Sequence, residues 1–262
     1  SCADAAPALG DDLGERGSTP PAAGLNQTEV TQPAVLTAGV AVWRVWQALG
    51  GRQPDYMAGH SLGEYSALVC AGSLAFKDAV ALVAARGRYM QEATPAGVGA
   101  MAAIIGLEDS QVVAACAAAQ SLGVVSAANY NAPGQVVIAG EQQAVASAGE
   151  AAKAAGARKV MPLAVSVPSH CQLMQPAAKR LASILAKTHF EKPSLSVLHN
   201  VDAKTRTDAN AIRQALTEQL YQPVQWTTTV QELSTAGVDQ FAECGPGKVL
   251  AGLVKRIQRR AQ

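Results

Sequence analysis

Gly59-His60-Ser61-Leu62-Gly63 sets a serine midway between two glycines, the spacing of a nucleophile elbow, in which a hydroxyl is lifted out of a sharp strand-to-helix turn. Glycines at both ends permit the strained backbone and the close approach of strand to helix. The helix dipole and its free amides then face the reacting carbon. A surface Gly-Ser turn matches the same five letters, so the pattern needs support from other residues. A serine at its free pKa is a poor nucleophile and needs a neighbouring base. The chain has four histidines. His60 abuts Ser61 but points away from it in an elbow, and reads as a packing or hydrogen-bonding residue. His189 ends a polar helix and reads as surface. His199 ends an apolar strand, where a satisfied core histidine is the usual role. His170, in Val167-Pro168-Ser169-His170, lies in a loop at the edge of the expected sheet, and position alone favours it without excluding the others.

No aspartate between Ser61 and His170 stands at a strand end, and Asp109 reads as a helix cap. A Ser-His dyad, its imidazole oriented by a backbone carbonyl, therefore fits better than a triad. Arg86 lies among Val80, Ala81, Leu82, Val83, Ala84 and Ala85. It either snorkels to the edge or serves an anion. A planar fork beside a serine nucleophile suits a substrate with a free carboxylate.

The elements that must position these groups follow from periodicity. Residues 1–32 read as mostly loop with short helical pieces. A buried helix is expected from Pro33 to Leu49, then a short strand Tyr56-Met57-Ala58, the elbow, a helix from Glu64 to Cys70 and another from Phe76 to about Glu92. From Gly97 the pattern changes. Strands are expected at 100–105, 124–128, 135–139 and 159–165, with helices at about 109–120 and 141–155, giving βαββαβ, the ferredoxin-like plan. Alternation then resumes: helix 171–187, strand 195–199, helices 208–221 and 226–235, strand 238–242 and helix 246–258. The fold class is α/β, a hydrolase-like core (1–96 and 167–262) with a parallel sheet flanked by helices, plus an inserted ferredoxin-like subdomain (97–166).

Composition narrows the function classes. Hydrophobic residues make up 49% and charged residues 16%, with a formal net charge of +1, so no global field draws the chain to nucleic acid or anionic lipid. No apolar run is long enough to span a membrane. The five cysteines are scattered, with no CxxC pattern, and read as reduced thiols of a cytoplasmic protein. Arg158, Lys159, Lys255, Arg256, Arg259 and Arg260 could form a basic rim for an acidic partner, or simply a solvated helix end favoured by the dipole.

The segments Gly59 to Tyr65, Arg86-Gly87-Arg88-Tyr89-Met90-Gln91, Asn129-Tyr130-Asn131-Ala132-Pro133-Gly134-Gln135, Val167 to His170 and Gly245-Pro246-Gly247-Lys248-Val249-Leu250 together resemble the bacterial malonyl-CoA:acyl-carrier-protein transacylase family of type II fatty acid synthesis. Order and spacing match through nearly the whole chain, and the same family supplies acyltransferase domains of polyketide synthases. The resemblance implies ping-pong transfer of a malonyl group from malonyl-CoA to acyl carrier protein through an ester on Ser61. His170 is then the base, Arg86 pairs with the malonyl carboxylate, and the main-chain carbonyl of Gln219 orients the histidine. The Leu62 amide supplies an oxyanion donor, and Gln32, Asn129 and Asn131 line the pocket. The expected partners are malonyl-CoA and the carrier protein, with no cofactor, metal, nucleic acid or membrane, and the chain is expected to be a monomer.

The family opens with a strand ending in a Gly-Gln-Gly-Ser-Gln loop whose first glutamine contributes to the oxyanion hole. No such sequence occurs here, so the resemblance implies an N-terminally truncated chain, one oxyanion donor short and weak by itself. Three rivals remain at this stage: a serine thioesterase or esterase, a polyketide synthase acyltransferase, and an inactive scaffold.

Overall fold

The computed structural model describes residues 28–95, 97–165 and 167–260. The loop reading of residues 1–27 lies outside them. Helix α1 (Thr28–Ala48) is followed by strand β1 (Tyr56–Ala58), α2 (Gly63–Cys70) and α3 (Phe76–Ala93). Helix α1 begins five residues before the expected Pro33, so Pro33 lies inside the helix and leaves the Glu29 carbonyl without an i+4 donor. Further along, α6 (Gln175–Leu185), β6 (Ser196–Leu198), α7 (Ala209–Glu218), α8 (Trp226–Thr235) and α9 (Val249–Arg260) complete this part of the chain. β1 and β6 pair in parallel, Met57 opposite Val197. Leu36, Leu68, Val83, Leu181 and Ile212 meet in the core between the helices, all with no exposure. Each stabilises the fold by about 1.5–3 kcal/mol relative to an exposed position.

Between α3 and α6 the chain forms β2 (Gly99–Ile105), α4 (Asp109–Ala119), β3 (Val125–Ala132), β4 (Gln135–Glu141), α5 (Gln142–Ala154) and β5 (Lys159–Pro162). The strands make one antiparallel sheet in the order β3-β4-β2-β5. Strand periodicity decides its two faces. Ala102, Ile104, Val136 and Ile138 pack against α4 and α5. Their neighbours Met101, Ala103, Val137 and Ala139 pack on the opposite face, around Cys171. The molecule is thus a mixed α/β fold with one parallel and one antiparallel sheet.

Several boundaries differ from the sequence reading. β5 stops at Pro162, which has no N–H to extend a ladder. β3 runs on to Ala132 through a bulge between Ala127 and Asn129, still paired with β4, while Asn129 also bridges Val224 in parallel on its other side. The helix expected from 171 opens instead as a 3₁₀ turn, Gln172–Met174. Glu108, not Asp109, caps α4, in a reciprocal box with Gln111. Residues 238–242 form no strand: no strand among the described residues pairs with them to complete a ladder.

Candidate active site

β1 ends one residue before Gly59, and α2 begins at Gly63. A methyl group on Gly59 would come within 1.9 Å of the Gly63 carbonyl carbon, so only glycine allows the turn to close this tightly. Ser61 sits at the apex with φ 51, a left-handed backbone that costs a non-glycine residue about 1–3 kcal/mol and concentrates at functional sites. The turn is tied by Gly63 N–H to the His60 carbonyl and Glu64 N–H to the Ser61 carbonyl, at 2.9 and 3.1 Å. The N–H of Leu62 takes no part in these bonds and remains at the helix start.

His170 converges on this turn from 109 residues away, its Nε2 lying 2.8 Å from Ser61 Oγ. Its Nδ1 donates to the Gln219 carbonyl at 2.7 Å. Because a carbonyl only accepts, Nδ1 carries the proton, and Nε2 is left as a lone pair facing the hydroxyl. His170 has φ 62, a second left-handed residue, fastened by its own N–H to the Leu220 carbonyl at 3.0 Å. Burial, with the nearby Arg86 charge adding to it, pushes the imidazole down to about 3. The group is therefore neutral across the physiological range, which leaves its Nε2 lone pair facing the hydroxyl.

Arg86 is 1% exposed. Its Nη1 donates to Gln32 Oε1 at 2.7 Å, and its Nη2 to Gln219 Oε1 at 3.0 Å and Ser61 Oγ at 3.2 Å. The guanidinium carbon lies 5.5 Å from the centre of the Tyr65 ring. The sequence left snorkelling open; the side chain is instead buried beside the hydroxyl. Gly87 makes this possible: a methyl group there would sit 2.5 Å from the Thr28 carbonyl, so glycine lets α3 lie against the start of α1, where Gln32 is carried.

Of the remaining candidates, Asn129 is buried at the β3 bulge next to Val224. Asn131 Oδ1 accepts from His60 Nε2, 2.8 Å away, rather than meeting Arg86 or Ser61. His60 also faces the Trp226 ring at 5.7 Å, the packing role expected of it. His189 is exposed, paired with Glu191. His199 is fully buried against Glu64. Two residues escaped the sequence reading: Glu64, with no exposure, and Asn200 at the end of β6, whose Oδ1 accepts from the Ser61 N–H at 2.7 Å. The signals were a carboxylate among apolar residues on a buried helix, and an amide at the C-terminal end of a parallel strand, where sites of such sheets gather.

No group of three or more His, Cys, Asp or Glu that could hold a metal occurs among the described residues. The arrangement can deprotonate a serine, hold a carboxylate next to it, and receive an oxyanion at a helix start.

Residues 16–262 match the model of the acyl transferase domain family. The chain is 58% identical over 255 residues to the malonyl CoA-acyl carrier protein transacylase of Salmonella typhimurium, covering 97% of this chain and 82% of that protein. It is 46% identical over 237 residues to the protein of the same name from Bacillus subtilis, covering 90% and 74%. Among solved structures it is similar to the malonyl CoA-acyl carrier protein transacylase of Coxiella burnetii, with TM-score 0.97, 50% identity and coverage of 99% and 82%. A malonyl-transacylase in complex with a type II polyketide acyl-carrier protein matches with TM-score 0.97, 55% identity and coverage of 98% and 84%.

Proposed function

The chain belongs to the acyl transferase domain family, and we propose from that premise that it moves a malonyl group from malonyl-CoA to acyl carrier protein through an ester on Ser61, supplying fatty acid synthesis. The observation that carries this reading is a buried guanidinium 3.2 Å from a serine hydroxyl that is itself 2.8 Å from an imidazole. A hydrolase of neutral esters has no use for the buried cation.

Ser61 Oγ attacks the thioester carbonyl while His170 Nε2 takes its proton. The oxyanion is received by the Leu62 N–H at the start of α2, where the helix dipole favours negative charge. Collapse breaks the carbon–sulfur bond, and the imidazolium protonates the departing CoA thiolate. The carrier protein's thiol then gives its proton to His170 and attacks the ester, and Ser61 leaves with that proton. Throughout, Arg86 holds the malonyl carboxylate, with Gln32 and Gln219 steadying the fork. Asn129 and Asn131 line the approach from β3. In this reading the antiparallel unit is a ferredoxin-like insertion (97–166) in a hydrolase-like core (1–96 and 167–262), and the enzyme works as a cytoplasmic monomer without a cofactor. Four free thiols among the described residues support a reducing compartment, and no helix among the described residues is long and apolar enough to cross a membrane.

For the carrier protein, exposed basic residues gather where α9 meets the insertion. Arg256 bonds to Gln135 at the start of β4. The neighbouring Gly134 carbonyl accepts from Gly106, which lies against Arg158. Lys159, Lys255 and Arg259 are exposed nearby in the chain, a surface suited to an acidic partner; the Arg260 side chain lies outside the described residues. When malonyl-loaded protein is mixed with carrier protein bearing a free phosphopantetheine thiol, the label is expected on the carrier protein. Release of free malonate as fast as transfer would contradict the transferase reading and favour a hydrolase.

A further inference from the structure

We propose that Glu64 is a positioning residue for acyl transfer: its buried carboxylate fixes the side-chain amide of Gln219, and through Gln219 and Asn200 holds His170 and Ser61 at their reacting separation. The proposal rests on the Ser61 acylation reading above and adds to it a residue that touches neither substrate nor reacting atoms.

Glu64 lies in the first turn of α2, three residues after the nucleophile, with no exposure. A carboxylate out of water is costly unless its oxygens are satisfied. Three N–H donors converge on this one. His199 Nδ1 reaches Oε1 at 2.6 Å, and Oε2 receives the Asn200 N–H at 3.0 Å and Gln219 Nε2 at 2.8 Å.

A carboxylate only accepts, so it decides which end of the Gln219 amide is nitrogen. The amide oxygen must then turn to Arg86 Nη2, 3.0 Å away, while the same Nε2 also reaches the Ser61 carbonyl at 3.0 Å. The main-chain carbonyl of that residue holds His170 Nδ1 at 2.7 Å. Gln219 is therefore gripped by its side chain from the elbow and grips the base with its backbone. On the other flank Asn200, tied to Glu64 by its N–H, accepts from Ser61 N–H at 2.7 Å and donates to the Gly59 carbonyl at 2.6 Å. Both sides of a turn whose serine has φ 51 are thus fastened to one carboxylate. The acid of a triad orients its histidine by direct contact; here the orienting carboxylate works at one remove. An amide also separates Glu64 from Arg86, so the negative charge balances the guanidinium without closing it to a substrate.

The test reads how fast a fluorophosphonate, an uncharged reagent that phosphonylates an activated serine and releases fluoride, labels Ser61. Glu64→Gln keeps the pattern, since its oxygen accepts from Asn200 and Gln219 and its nitrogen donates to the other tautomer of His199; labelling slows by no more than about fivefold. Glu64→Met leaves three donors without an acceptor and slows labelling about a hundredfold. Gln219→Leu, which keeps the main-chain carbonyl, slows it by a similar factor, and the double variant is no slower than either single one. A folded Glu64→Met that labels at the unmodified rate, or a Glu64→Gln as slow as Glu64→Met, overturns the proposal. If Glu64→Met does not fold, Gln219→Leu decides, and labelling at the unmodified rate overturns it. Labelling of the unmodified chain without acylation by malonyl-CoA would refute the substrate reading and leave the role of Glu64 standing.

Discussion

Arg86→Ala lowers kcat/KM for malonyl-CoA by about a thousandfold, the loss expected when a desolvated, charged hydrogen-bonding partner worth about 4 kcal/mol is removed. The reason lies in burial and position. At 1% exposure the guanidinium has no water to fall back on, and its Nη2 is already within 3.2 Å of the nucleophile. Without it, a malonyl carboxylate enters the same space with only two neutral amides, Gln32 and Gln219, to meet it. A neutral acyl-CoA of similar size has no such requirement, so transfer of the neutral group is kept or improved in the same variant. The comparison of malonyl with acetyl donors, measured as kcat/KM on both proteins, reads the difference directly. Equal losses for both donors would mean that Arg86 supports the site mechanically rather than selecting the charge.

His170→Ala slows acylation of Ser61 by about ten-thousandfold, the upper range for removing a positioned general base. The lone pair on Nε2 is fixed in place by the Nδ1 proton on the Gln219 carbonyl, 2.7 Å away, and burial keeps the ring neutral. No other imidazole can substitute. His60 is occupied by Asn131 and Trp226, and His199 by Glu64. A stopped-flow measurement of CoA release gives the acylation rate; a loss of less than about tenfold would show that the proton leaves by another route.

Much of this site was written in local sequence. Two glycines around a serine, and an arginine among apolar neighbours, are legible because each feature is a violation of what a plain helix or strand requires. The antiparallel sheet was legible for the opposite reason: β2 and β4 pack on both faces, so each shows in the letters as a short, nearly unbroken apolar run. What escaped depends on distant parts meeting. Glu64 and Asn200 are 136 residues apart, and nothing near either one announces that they share a hydrogen bond. The resemblance implies a role only for the backbone carbonyl of Gln219, while its side chain links Arg86, Ser61 and Glu64. Residues 238–242 show the converse failure. Val238, Phe241 and Ala242 suit a short strand between two helices, yet a strand exists only where a neighbour completes its ladder.

The most direct measurement is the intact mass of the 262-residue chain after brief exposure to malonyl-CoA, followed by peptide mapping. Gain of a single malonyl group located on Ser61, and absent from Ser61→Ala, is the predicted result. An unmodified serine, or an acyl group carried on any other side chain, would contradict the account.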